Sequence, residues 1–306
     1  MSFINNKMRV ICVILVALLA IGWFYKGYII RMAGWPFLPD MDPPAAGVMR
    51  FAAIGDYGSG SLGEGDVAKV INSWRPEFII TLGDNNYELG GIETFDATIG
   101  RFYHEYIAPY DGKYGKGADV NRFFPIPGHR DWDTDQLKPY LDFFTLPGNE
   151  RYYDFIRGPV HLFMIDSDER EPDGGTENSI QANWLKQQLA NDNSHWKIVC
   201  AHHAPYTSHH VEDIKRMRWP FKQWGADVVL SGYYHIYERL YVDGLTYIIN
   251  GAGGSWVSDF GDIDPNSRVR YNEDFGALMI EANNRYLSFK FINRKGSLID
   301  SYTIEK

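Results

Sequence analysis

The sequence predicts an α/β domain preceded by one N-terminal apolar helix, and three observations predict it. From Val48 onward, short β-branched and aromatic runs alternate with amphipathic stretches of helical period. Those runs end in Gly-Asp or His clusters. Ahead of them stands an uncharged stretch from Val10 to Tyr25.

The N-terminal stretch follows Lys7 and Arg9, is closed by Lys26 and is continued by GYII. It falls short of the roughly 20 residues that span hydrocarbon unless Lys26 snorkels and residues 27–30 extend it. Two readings of residues 1–34 stay open. One is a signal anchor with Trp23, Tyr25 and Tyr28 at the membrane boundary. The other is a signal peptide cut near Ala20-Ile21-Gly22. Both export the remainder, as a membrane-anchored outward-facing domain or as a secreted or periplasmic one. Residues 35–47, WPFLPDMDPPAAG, read as a tether, and residues 48–306 as one continuous domain.

Within that domain the strand candidates are VMRFAAIGD, EFIITLGD, RFFPIPGH, HLFMID, WKIVCAHH and DVVLSG. Between them DVAKVINSW, TENSIQANWLKQQLA and VEDIKRMRWPFKQW read as helices, the second capped by Ser179. The tail, from YERLYVDGLTYIIN to SLIDSYTI, is strand-rich with DG and KG turns and predicts meandering antiparallel strands.

Composition bounds the function. With 306 residues, 45% of them hydrophobic, the chain buries a large core, and its charge of -9 argues against a nucleic-acid surface. Of two cysteines, Cys12 lies in the apolar run, so the domain has only Cys200 and forms no internal disulfide.

Five strand ends carry side chains of metal or phosphate type: Asp56-Tyr57-Gly58, Asp84-Asn85-Asn86-Tyr87, His129-Arg130-Asp131, His202, and Tyr233-Tyr234-His235. Each alone has a plain alternative as a turn or a helix cap. Ligands of open α/β sheets gather outside the carboxyl ends of the strands, so these loops are expected to converge. Carboxylate, imidazole and phenol donors suit Fe, Mn or Zn rather than Ca. Asn250-Gly251-Ala252-Gly253-Gly254 reads as a flexible turn, and His104, His161 and His195 receive no role.

The order DxG, GDxxY, an altered GNH followed by an acid, VxxH and an altered GHxH, then Tyr237-Glu238-Arg239, resembles the calcineurin-like metallophosphoesterases, and most of all their purple acid phosphatase branch. The resemblance runs from about Met49 to the C-terminus. It implies a four-layer α/β/β/α sandwich and two metal ions. Asp56, Asp84, Tyr87 and His235 would hold Fe(III); Asp84 and His202 would share a second ion, Zn, Mn or Fe(II). Two ligands of that second ion are replaced: His129 stands at the family's Asn and Tyr233 at the first His of GHxH. An imidazole ligates such ions well, whereas a neutral phenol is a poor ligand for a divalent one. In an alternative register His129 is the family's His and the Asn is lost.

Arg130 stands where the family has a phosphate-facing His. It offers a fork to phosphate and, staying charged, cannot protonate a leaving group. That role would fall to His209 or His210, which read equally as an exposed loop pair, with Asp131 keeping the acidic position of the motif. The resemblance therefore implies hydrolysis of phosphate esters, as a phosphomonoesterase acting on a phosphorylated small molecule or phosphoprotein, by attack of a metal-bound water or hydroxide. Two alternatives stay open: a phosphodiesterase, and a degenerate protein that binds metal and phosphate without turnover.

Overall fold

The computed structural model describes residues 40–210 and 214–306. The expected N-terminal apolar helix and the first part of the tether lie outside these residues. Among the described residues, no helix is long and apolar enough to cross a membrane. Residues 40–42 of the tether pack on the domain: the Met41 N–H donates to Ser73 O, and Arg50 Nη1 donates to Asp42 O.

Thirteen strands are formed by the described residues: β1 Met49–Ile54, β2 Ile79–Thr81, β3 Phe123–Phe124, β4 Tyr153–Arg157, β5 Val160–Ile165, β6 Trp196–Ala201, β7 Val228–Ser231, β8 Tyr237–Val242, β9 Leu245–Asn250, β10 Ser267–Tyr271, β11 Gly276–Ala282, β12 Tyr286–Asn293 and β13 Leu298–Glu305. They make two sheets, ordered β13-β12-β11-β1-β2-β3 and β10-β8-β9-β7-β6-β5-β4. Pairing is parallel through β1-β2-β3 and through β5-β6-β7-β9, and antiparallel elsewhere.

The layering follows from the strand period of two. In the second sheet Leu162, Met164, Ile198, Cys200, Val228, Leu230 and Ile248 join the core shared with the first sheet. Their neighbours Phe163, Ile165, Val199, Ala201, Val229 and Ile249 face the opposite way. There they meet Ala182, Leu185 and Leu189 of a helix, Ile180–Asn191, capped as expected by Ser179 Oγ accepting the Ala182 N–H. A second long helix, Leu62–Ser73, places Val67, Val70 and Ile71 on the first sheet. Helix, sheet, sheet, helix is the expected four-layer arrangement.

Two expectations change. The stretch 214–224 is not one helix: a 3-10 turn, Lys215–Met217, is separated from a four-residue helix, Phe221–Trp224. Pro220 is the reason, because it lacks an N–H and disfavours helical geometry at Trp219. The antiparallel tail also divides between the sheets. The hairpin β8-β9, turned at Asp243-Gly244 with both φ positive, joins the second sheet, while β11, β12 and β13 extend the first.

Candidate metal centre

The five predicted strand ends do converge. Asp56 and Asp84 leave β1 and β2 in the first sheet, and His202 and His235 lie beyond β6 and β7 in the second. Asp56, Asp84 and His202 are fully buried, and His235 and Tyr87 nearly so. Asp56, Asp84, Tyr233 and His235 all take positive φ, the sharp backbone turn that aims a side chain back across the strand end.

Close backbone approach makes this turn possible. A Cβ added at Gly128 would lie 2.0 Å from the Asp84 nitrogen and 2.3 Å from its Oδ1, and one at Gly232 would lie 2.5 Å from Asp56 Oδ2. The Gly251–Gly254 segment is likewise no flexible turn. It is buried, and its Gly253 N–H bonds Gly55 O directly behind Asp56.

The Tyr87 hydroxyl lies 3.0 Å from Asp84 Oδ2 and 3.3 Å from Asp56 Oδ1. His202 Nε2 is 3.2 Å from Asp84 Oδ1, His129 Nδ1 is 3.3 Å from Asp84 Oδ2, and His235 Nε2 is 3.7 Å from Asp56 Oδ1. Coordinating atoms of Asp56, Asp84 and His202 sit within 4.8 Å of one another. So do ring nitrogens of His129, His202 and His203.

Outer hydrogen bonds fix the rings. The Leu82 carbonyl, 2.7 Å from His202 Nδ1, accepts its hydrogen and leaves Nε2 toward Asp84. Ser255 Oγ gives its one hydrogen to Asp56 O, so it accepts from His235 Nδ1 at 3.1 Å, again leaving Nε2 inward. Trp256 stacks on His235 at 3.9 Å.

Electrostatics suit a cation. Burial raises the Asp56 carboxyl against the pull of His202, and the nearby Asp84 charge adds to the rise. Burial also opposes ionisation of Asp84, yet His202 and His129 outweigh it and hold that carboxyl low. His202 itself, disfavoured by burial, is driven up to about 10 by Asp84 and Asp56. Burial, together with Asp84 and Asp56, keeps the Tyr87 phenol protonated. Two buried carboxyl groups thus lean on the protons of His202 and Tyr87, a place where a bound metal ion would supply the positive charge instead. Two carboxylates, a phenol and several imidazoles make a donor set that fits Fe, Mn or Zn.

Other predicted residues lie around this pocket. Arg130 donates its backbone N–H to Asp84 Oδ1, while its guanidinium, about one-third exposed, lies 3.4 Å from Asp133. Asp131 is fully buried and accepts from Gly128 N and from the Asn85 backbone and side chain. Tyr233 stands over the imidazoles, 4.5 Å from the His203 ring and 5.4 Å from those of His129 and His202. His209 and His210 are not among the clustered ligand atoms. They pair with each other at 4.0 Å, with Tyr234 5.0 Å from His209 and Asp259 O 3.2 Å from His210 Nδ1.

Sequence reasoning missed His203, Ser255 and Trp256. The doubled histidine after β6 was the available signal for the first; the other two lie in a Gly-rich stretch without a motif of their own.

Comparison with known proteins gives a concordant picture. The calcineurin-like phosphoesterase family model matches residues 49–237, and the iron/zinc purple acid phosphatase-like protein C model matches residues 244–301. Purple acid phosphatase 22 of Arabidopsis thaliana is 27% identical over 209 residues, covering 64% of this chain and 46% of that protein. Fe(3+)-Zn(2+) purple acid phosphatase 12 of the same plant is 23% identical over 302 residues, covering 85% and 62%. Among solved structures, GAP50, the anchor in the inner membrane complex of Plasmodium, superposes with a TM-score of 0.67 at 20% identity, covering 84% of this chain and 89% of that one. The chain spans about half the length of the curated plant relatives it matches.

Proposed function

Because this chain belongs to the calcineurin-like phosphoesterase family, in its purple acid phosphatase branch, we propose that it is a metal-dependent phosphoesterase acting on phosphomonoesters of small molecules or proteins. The observation that carries this reading is the meeting of Asp56, Asp84, Tyr87, His202 and His235 in one buried pocket, from loops of both sheets. Asp56, Asp84, Tyr87 and His235 are the residues to hold Fe(III), and Asp84, His129 and His202 a divalent neighbour such as Zn, as in the Fe(3+)-Zn(2+) relative. Bound there, such ions lower the pKa of a water and offset charge on the phosphoryl oxygens.

The chain's own groups supply the rest. Arg130, with a weak tether to Asp133, turns its fork toward the phosphate. Asp131 lies under the loops and ties Gly128 to Asn85, which keeps His129 and Asp84 in register. The Tyr233 phenol, held protonated by burial and by Asp84, presents a hydroxyl donor to the same phosphate. His209 is held down to about 4 by burial and by His210, so it would have a proton to offer a leaving oxygen only in acid. The charged and then apolar N-terminus supports an exported domain, tested by whether external protease reaches it on intact cells.

The test is p-nitrophenyl phosphate hydrolysis by the full chain across about pH 4 to 9, after loading with iron plus zinc or manganese. Metal-dependent turnover with an acid optimum is expected. Ion uptake without turnover supports the second reading, a metal- and phosphate-binding protein, which the phenol of Tyr233 over the imidazoles favours.

A further inference from the structure

The family resemblance leaves the second ion short of an imidazole, because Tyr233 stands at the ligand position. The fold places another imidazole against that gap. His203 follows His202 after β6, is 5% exposed, and has its ring 4.5 Å from the Tyr233 ring. One of its ring nitrogens falls within 4.8 Å of ring nitrogens of both His129 and His202.

We propose that His203 is a ligand of the second ion, so that His129, His202 and His203 form a three-imidazole site that Asp84 links to the first ion. The inference rests on the metal-centre reading above and names a residue that the family motifs do not assign. Two arguments support it.

The first is the outer shell. Metal-bound imidazoles are held by a hydrogen bond at the other ring nitrogen. His203 has one: Ser167 Oγ lies 2.9 Å from its Nδ1 and also accepts the His203 backbone N–H at 2.9 Å. With Nδ1 engaged, Nε2 is the nitrogen left for an ion. His202 and His235 are held in the same manner through Leu82 O and Ser255 Oγ.

The second is donor chemistry. Replacing an amide oxygen by His129 and recruiting His203 gives three nitrogens and one carboxylate oxygen, a set that favours zinc over manganese. Tyr233, between these rings, then closes the site from solvent rather than binding the ion.

The experiment counts ions and their ligands in the full chain loaded with Fe(III) and Zn(II). Two ions are expected in the wild type, with zinc X-ray absorption showing three imidazoles. His203→Gln and His203→Ala should each keep the iron while losing zinc affinity by more than the roughly 10–100-fold typical of a lost outer hydrogen bond. Ser167→Ala should stay inside that range. Adding Tyr233→His to His203→Ala should restore zinc and the third imidazole. Unchanged zinc affinity and imidazole count in His203→Gln, with its circular dichroism intact, overturns the inference alone. A wild type that takes up no ion at all overturns the metal-centre reading, and this inference with it.

Discussion

The backbone N–H of Tyr233 donates to Oδ2 of Asp56 across 2.8 Å, joining the end of β7 in one sheet to the end of β1 in the other. The carboxylate at this junction is fully buried, and burial raises it against the pull of His202. Asp56→Asn keeps an acceptor for the Tyr233 N–H while removing the charge. The metal-free variant is expected to melt higher, by about 2–4 °C for each kcal/mol recovered in a chain of this size. The gain in melting temperature that iron gives the wild type should vanish. Paired melting curves with and without iron check both parts.

Tyr87 should give the metal an optical signature. Its hydroxyl is within 3.3 Å of both carboxylates, and only a strong Lewis acid ionises a phenol that burial and those carboxylates hold protonated. Loading with Fe(III) should therefore produce a visible phenolate-to-iron band. Tyr87→Phe should abolish it while zinc uptake persists, as read by absorption spectra and metal analysis of the same samples.

Gly128→Ala tests whether the closeness of the loops matters. The added methyl would meet Asp84 N and Oδ1 at 2.0 and 2.3 Å, contacts that only a shift of the backbone relieves. Asp84 bridges both halves of the site, so the variant should lose both ions. Overpacking of this kind costs about 1–3 kcal/mol, so the chain should still fold. Metal content alongside denaturant unfolding separates the two effects.

Arg130→Ala should raise KM for a phosphomonoester by roughly 10-fold or more, with a smaller change in kcat. The loss of a charged hydrogen bond worth about 1.5–3 kcal/mol sets that scale. Arg130→Lys should recover only part, because an ammonium lacks the fork. Initial rates at saturating and subsaturating substrate distinguish these outcomes.

Outside the candidate metal centre, His161 sits between Asp154, 2.7 Å away, and Asp192, 3.2 Å away. Burial opposes its charge, but the two carboxylates prevail and its folded pKa is raised. A raised imidazole contributes stability that is complete below the unfolded value of about 6.5 and is lost as pH climbs through the folded one. Melting temperature should therefore decline above neutrality, and His161→Gln should flatten that decline while costing about 2 kcal/mol near pH 6. Thermal unfolding at a series of pH values checks the sign.

Much of this was legible in the sequence because the relevant signals are local. Asp56, Asp84, His202 and His235 each lie just beyond a short apolar run buried on both faces, and the parallel pairing of those runs places their ends at a sheet's carboxyl edge. Ser179 announced its helix for the same reason. What stayed hidden depends on distant partners. Nothing within VCAHH reveals that Ser167, on the loop after β5, will tie the second histidine. Nothing in NGAGG reveals that its backbone will lie against Gly55 and Asp56. The break within residues 214–224 is legible as well, since Pro220 in that stretch withholds an N–H from any continuous helix.

The place of β1 carries a consequence for how the chain matures. This strand emerges early from the ribosome, yet its antiparallel neighbour is β11, with Met49 opposite Ala282. The ligand-bearing stretches, from Asp56 to His235, are all synthesised before that neighbour exists. Until it arrives, the first sheet has an open edge at its centre. Translation therefore delivers the candidate ligands before the strand that joins the first sheet, so an ion taken up by them would meet the completed sheet only after β11 is made.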